Sequence, residues 1–156
     1  MHCENSILIR APLEKIFRQT ADIESWPRIL PHYRWIRVLE RNGRSMTLKM
    51  AARRGVLPIR WTSRFEAADG ELHFHHLKAF TRGMKVKWTF TPTADGVVVS
   101  ISHELNRWYA NLLARHFIAP VASRTLAAFK AHLECNGPMP LPNNGKALSS
   151  QCAHET

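Results

Sequence analysis

Residues 108–134 read WYANLLARHFIAPVASRTLAAFKAHLE, and the fold turns on this stretch. Apolar side chains return at helical spacing at Trp108, Leu112, Leu113, Phe117, Val121, Ala128, Phe129 and Leu133, with Thr125 on the same stripe. Arg115, Arg124 and Lys130 fall off it, so the spacing predicts one long amphipathic helix with a single face to cover. Pro120 lies inside the run. It has no N–H for an interior hydrogen bond and crowds the preceding turn, so a kink is expected near residues 116–119.

The cover for that stripe has to come from the residues before it. Residues 5–10 alternate, with Ile7 and Ile9 on one face and Leu8 on the other, and predict a first strand. Pro12 suits the first turn of a helix, and Leu13, Ile16 and Phe17 follow at helical spacing as far as Ala21. Asp22 is a candidate N-cap for a second short helix through Ile23, Trp26, Ile29 and Leu30, which Pro31 ends. From Tyr33 the period changes to two. Six further strands are predicted at 33–40, 45–53, 56–67, 71–78, 84–93 and 97–106, with turn signals at Asn42-Gly43, Gly55, Asp69-Gly70, Gly83 and Asp95-Gly96. Leu57, Ile59, Trp61, Ser63 and Phe65 face one way, and Arg60, Thr62, Arg64 and Glu66 the other. Val86, Trp88 and Phe90 oppose Lys85, Lys87, Thr89 and Thr91. One greasy face and one wet face fit an antiparallel sheet. The expected class is α+β, in the order β-α-α-β6-α.

The chain has 156 residues, enough for a single domain to bury a core without disulfides or metals. We expect that domain over 1–135 and a mobile tail over 136–156, where Asn136-Gly137 stops the helix and periodicity is lost. No run of about 18 apolar residues occurs, so no transmembrane segment is expected, and no secretory signal is visible at the N-terminus. Cys3, Cys135 and Cys152 are scattered without a CxxC pair, which points to reduced thiols and a cytoplasmic location. The balance of 22 Lys+Arg against 12 Asp+Glu gives net charge +10. The cations are dispersed, so a solvated basic surface and an anionic partner (RNA, ribosome or membrane) both remain open.

Specific local text adds to this. NSILIRAPLEKIF, ADIESWPRILPHYRWIRVLER, WTSRF, KVKWTF and FIAPVASRTLAAFKAHLE together resemble the START-like (SRPBCC, helix-grip) superfamily, and within it the polyketide cyclase/aromatase group. Coenzyme Q-binding START-like proteins are similar in the second of these segments. The resemblance covers residues 5–134. It implies a seven-stranded antiparallel sheet curled round the C-terminal helix, with two short helices after the first strand and an apolar cavity between sheet and helix. It also implies a small hydrophobic ligand, a lipid, quinone, aromatic or polyketide, and for some members cyclisation or aromatisation. Trp26, Tyr33, Trp61 and Ser63 match positions that line the pocket of the aromatase/cyclases. The arginine those enzymes carry two residues beyond the serine is Phe65 here, which departs from the enzymatic pattern. Some START-like bacterial proteins act in ribosome assembly, which keeps that partner open.

Strand parity turns Met46, Leu48, Met50, Trp61, Phe65, Phe74, Trp88, Phe90, Val99 and Ile101 inward, as pocket wall or as plain core. His103 shares parity with Val99, Ile101 and Leu105, so a neutral imidazole is expected to face the interior. Tyr33, Ser63 and His103 are the polar groups expected to orient a phenol or quinone, and as a catalytic set they would supply acid and base for an enolisation. Phe117 and Val121 are expected to line the cavity where Pro120 bends the helix. No inward carboxylate is available for a Ser/His/Asp triad. His73, His75 and His76 invite a metal reading, but no third ligand pattern accompanies them, so no metal and no cofactor is expected.

Overall fold

The structure is a computed structural model, and it describes residues 1–135; the expected tail at 136–156 lies outside the described residues. Strand β1 (His2–Ile9) is followed by helix α1 (Leu13–Ala21), a single 3-10 turn (Ile23–Ser25) and helix α2 (Trp26–Ile29). Six strands come next: β2 (Tyr33–Asn42), β3 (Ser45–Arg54), β4 (Leu57–Ala68), β5 (Glu71–His76), β6 (Lys85–Thr93) and β7 (Gly96–Glu104). The chain closes with α3 (Ala110–Leu113), a π-helical turn (Ala114–Ile118) and α4 (Ala119–Cys135). This is the predicted α+β order. All seven strands form one antiparallel sheet in the order β1-β7-β6-β5-β4-β3-β2. Only the β1–β7 neighbour relation is long-range; the other pairs are hairpins or near-hairpins whose register the alternating pattern sets.

Helix α4 lies in the concave side of the sheet, against β1. Its buried face is Ala122, Thr125, Leu126, Phe129 and Leu133. These pack with Ile9, Leu48, Met50, Phe65, Leu72, Trp88, Val99 and Ile101 into one apolar core. Polar contacts fix the helix on the edge strand. Asn5 Nδ2 donates to Ser123 Oγ at 2.9 Å, Lys130 Nζ to the Leu8 carbonyl at 2.7 Å, and the Arg10 N–H to Glu134 Oε1 at 2.8 Å.

The stripe is shorter than its sequence suggests. Trp108 and Leu112 are exposed, at 94% and 66%, and Trp108 precedes the helix, which begins at Ala110. The sheet ends before it can cover the first helical turn. The kink expected before Pro120 takes the form of the π turn at Ala114–Ile118. One extra residue in the turn accommodates a proline ring and a missing donor without breaking the helix.

Two turns place the strands. Asp69-Gly70 is the two-residue loop joining β4 to β5, with φ of 53° and 75°, the mirror-image turn that glycine and aspartate tolerate. At the second Asp-Gly pair the loop is shifted by one residue, because Thr93 pairs with Gly96 and leaves Ala94-Asp95 as the turn. Gly96 is needed for space: a Cβ there would lie 2.5 Å from the Ile9 carbonyl oxygen. In β2 a bulge between Tyr33 and Trp35 puts Tyr33 opposite Ala52 and Ile36 opposite Met50. Both then face inward, whereas unbroken alternation would have put Tyr33 on the face of Trp35 and Arg37.

Candidate ligand site

The site is built upward from Trp26. Its indole N–H donates to the Thr20 carbonyl at 3.0 Å, which fixes the ring below the sheet. Tyr33 and Trp88 each lie 5.4 Å from it, Phe129 5.6 Å and Phe74 5.7 Å, between ring centroids. Edge-to-face and tilted packing of this kind is favourable beyond the area it buries. The cluster is the floor of a cavity of about 90 Å³ between the sheet and the C-terminal helix. Met50, Trp61, Ile101, Phe117, Ile118 and Val121 form much of its wall.

Two histidines bring polar groups to this apolar space. His103, from β7, is buried and contributes to the lining, and among the described residues its Nδ1 has no hydrogen-bond partner. A buried, unmatched ring nitrogen costs on the order of 1–3 kcal/mol. His76, from the end of β5, places Nδ1 2.7 Å from Thr81 Oγ1 and stacks on Trp61. On the helix side Thr125 reaches the lining, its Oγ1 3.0 Å from His32 Nε2, and His32 itself lies in a separate groove with Arg53 and Arg124.

Burial holds these imidazoles neutral. His103 is lowered to about 4, by desolvation and then by the nearby His2. His76 is lowered to about 3, by desolvation and then by His103 and His75. Burial also raises the Tyr33 phenol above its ordinary range, so it remains a protonated donor. Among the described residues Arg53 is the one charged residue in the lining, and no carboxylate lines the cavity. Among the described residues no group of three or more His, Cys, Asp and Glu is placed to hold a metal.

Two rings flank the mouth. Phe80, in the loop at 77–84, meets Phe117 of the π turn edge-on at 5.7 Å, and Arg54 lies over Phe117 at 5.6 Å. The Tyr109 hydroxyl donates to the Phe80 carbonyl at 2.8 Å and ties the loop to the start of the helix. Ala79 in the same loop has φ of 74°, a left-handed conformation that is strained for a residue with a Cβ. A volume of 90 Å³ takes a few waters, while drug-sized molecules occupy roughly 300 Å³ or more. An aromatic guest therefore needs more room than the cavity holds in this conformation.

A family model described as "Polyketide cyclase / dehydrase and lipid transport" matches residues 9–134. The chain belongs to this family. A Streptomyces halstedii protein whose name assigns it to the polyketide cyclases is 29% identical over 104 residues, covering 63% of this chain and 94% of that protein. Among solved structures, the Streptomyces aromatase/cyclase Zhui superposes with a TM-score of 0.70 at 16% identity, covering 88% of this chain and 99% of that one. A START superfamily protein from Mycobacterium smegmatis gives 0.74 at 12% identity, covering 86% and 97%. These structural likenesses establish the helix-grip fold.

Within that family fold, nine of the residues expected at the site come together around the cavity: Trp26, Tyr33, Met50, Trp61, Trp88, Ile101, His103, Phe117 and Val121. Three do not line it. Ser63 is buried, but its hydroxyl donates to the carbonyls of His75 (3.1 Å) and Arg64 (3.3 Å). Phe65 packs behind the wall against Phe74 at 4.9 Å, and Phe90 packs against Phe17 at 5.4 Å, away from the mouth. The family's arginine position, filled here by Phe65, thus contributes core rather than charge. Sequence reasoning missed His76, Thr81 and Phe80. Alternation put His76 on the inward face with Phe74, but the run of three histidines drew attention to His73 and His75, which are exposed on the outer face.

Proposed function

We propose that the cavity binds a small apolar molecule, aromatic or polyketide-like, that carries a hydrogen-bonding oxygen, with His103 as its polar anchor. One observation carries this reading: a lining that is mostly aromatic and aliphatic includes a buried imidazole, His103, whose Nδ1 has no hydrogen-bond partner among the described residues. A side chain of pure core would have been matched or replaced by an apolar one. Mass spectrometry of the protein isolated under native conditions should find a bound apolar oxygen-containing molecule, and saturable quenching of the tryptophans should accompany its return. Protein that is ligand-free and indifferent to flat phenols and quinones would remove the reading.

A second reading is polyketide cyclisation or aromatisation at the same site. It is supported by the family and by Tyr33 and His103 lining one cavity in opposite hydrogen-bonding characters. The Tyr33 phenol can donate to an enolate oxygen, and the neutral His103 imidazole can accept a proton from carbon. Ser63, whose hydroxyl is engaged by the backbone, is a positioning group for β4 and β5 in either case. Conversion of a poly-β-ketone mimic, lost by at least a hundredfold in His103→Ala and tenfold in Tyr33→Phe, distinguishes enzyme from carrier. Binding without turnover leaves the carrier.

A further inference from the structure

The rim of the cavity differs from the rest of the surface in two independent ways. The first is exposed apolar side chains. Of seven large hydrophobic residues exposed on the described structure, five stand at this end: Val56, Leu57, Phe80, Trp108 and Leu112. Trp108 is 94% exposed and Val56 89%. They sit on three separate protrusions, the β3–β4 hairpin tip, the loop at 77–84 and the approach to α3. The Arg54–Phe117, Phe80–Phe117 and Tyr109–Phe80 contacts hold those protrusions side by side.

The second is charge. Residues 51–65, 76–87 and 105–133, which build this end and the whole length of the helix behind it, carry four Lys or Arg each and no Asp or Glu; two of these twelve cations, Lys87 and Lys130, are paired away from the rim with Glu71 and Glu134. Arg82, Arg107 and Arg115 are exposed beside the apolar tips. The nearest carboxylate on this end of the sheet, Glu104, is on the outer face within 3.9 Å of His2. Most acidic residues are at the other end. Glu14, Asp69 and Glu71 line one groove there, and Asp95 sits in the β6–β7 turn. Among the described residues, positive charge is therefore in excess at the mouth.

We propose that this rim docks on an anionic lipid bilayer, with Trp108, Leu112, Val56 and Leu57 in the headgroup region and the flanking arginines on lipid phosphates. Tryptophan is favoured at that depth, and exposed apolar tips ringed by cations are the pattern of interfacial binding. An RNA strand would need a row of free stacking rings, and here the Phe80 ring packs edge-on against Phe117, the Trp108 indole against Tyr109, and the other tips are aliphatic. An acidic protein would need a groove for its own side chains, and the tips are convex protrusions. The docked pose sets the Phe80–Phe117 pair against the bilayer, so an apolar guest passes between membrane and cavity without crossing water. The docking itself does not depend on which guest the cavity takes.

The test is sedimentation of the full chain with vesicles of phosphatidylcholine, with and without phosphatidylglycerol, at low and high salt. Binding is expected to the anionic vesicles alone, to weaken with salt, and to shift tryptophan emission to the blue. Each arginine near an anionic leaflet is worth about fivefold in binding, so Arg82→Gln/Arg107→Gln/Arg115→Gln should lose about a hundredfold. Trp108→Ser/Leu112→Ser should lose at least tenfold and abolish the blue shift. The matched triple Arg10→Gln/Arg18→Gln/Arg44→Gln at the far end removes the same charge and should bind almost as wild type. Equal losses in both triples would overturn the proposal, since net charge alone would then account for binding. So would absence of vesicle binding, or retention on RNA or an acidic protein in preference to anionic vesicles. Thermal unfolding of every variant, expected within a few degrees of wild type, separates lost docking from lost fold.

Discussion

His103 and His76 lie within a core that gives protons no hydration, and their lowered pKa values have a definite consequence for stability. In the unfolded chain both titrate near 6.5; in the folded chain they remain neutral down to about 4 and about 3. Between these values the unfolded state binds more protons, so the contribution to stability is intact above pH 6.5 and is lost as pH falls toward 4. The slope is about 1.4 kcal/mol per pH unit for each histidine. Urea unfolding at pH 7 and pH 5 should show wild type losing stability, with His76→Asn and His103→Asn each shallower by roughly one histidine's share. Identical slopes in all three would mean that neither imidazole is buried as described. At Gly96 the limit is steric. Gly96→Ala sets a methyl against the Ile9 carbonyl, and a loss of about 2 kcal/mol or more in chemical denaturation is expected. His103 was legible from β7 alternation alone, because an inward histidine among Val99, Ile101 and Leu105 has nowhere else to point. The state of Ser63 was not legible. Parity reports the face of a side chain, and cannot say that the hydroxyl will be taken by the carbonyl of His75 on the neighbouring strand.

The C-terminal helix shows the same division between what a pattern dictates and what packing decides. Its middle and end, from Phe117 to Leu133, were readable from spacing. Its beginning was not, because whether Trp108 and Leu112 are covered depends on how far the sheet extends. The effect of Pro120 was predictable as a disturbance but not as a π turn, since a kink and an added residue both relieve a missing hydrogen bond. Pro120→Ala restores the donor to the turn before it. The expected result is a gain in helicity by circular dichroism and a higher Tm, together with at least tenfold weaker ligand uptake as Phe117 rotates with the regularised helix. Unchanged uptake would separate the π turn from the site. In β2 the bulge after Tyr33 reverses alternation at one position, so the sequence period would have sent Tyr33 outward; the resemblance to the aromatase/cyclases, not the pattern, brought it to the pocket.

For the molecule as a whole, one sheet and one helix enclose an aromatic floor, two neutral imidazoles and a mouth held by Phe80 and Phe117. The element order and the single antiparallel sheet were written in the alternation and in the turn glycines. The cavity volume was not, because it is a small difference between large packed volumes. At about 90 Å³ the cavity in this conformation admits little, so uptake of a larger guest should need the rim to adjust. Phe80→Ala opens the mouth at a half-exposed position. Stopped-flow mixing should show faster uptake of a bicyclic guest, with stability changed by less than about 1 kcal/mol. No helix among the described residues is long and apolar enough to cross a membrane.

The central claim is that His103 anchors an oxygen of an apolar guest inside this cavity, and a matched pair of guests tests it most directly. Trp26, Trp61 and Trp88 line the cavity and report occupancy by fluorescence. Naphthol and naphthalene differ by one hydroxyl, and a hydrogen bond to a buried neutral partner is worth about 1–1.5 kcal/mol. The account predicts that naphthol binds wild type about tenfold more tightly than naphthalene, and that His103→Leu binds the two alike. Equal affinities in the wild-type protein, or a preference for naphthol that survives His103→Leu, would contradict it.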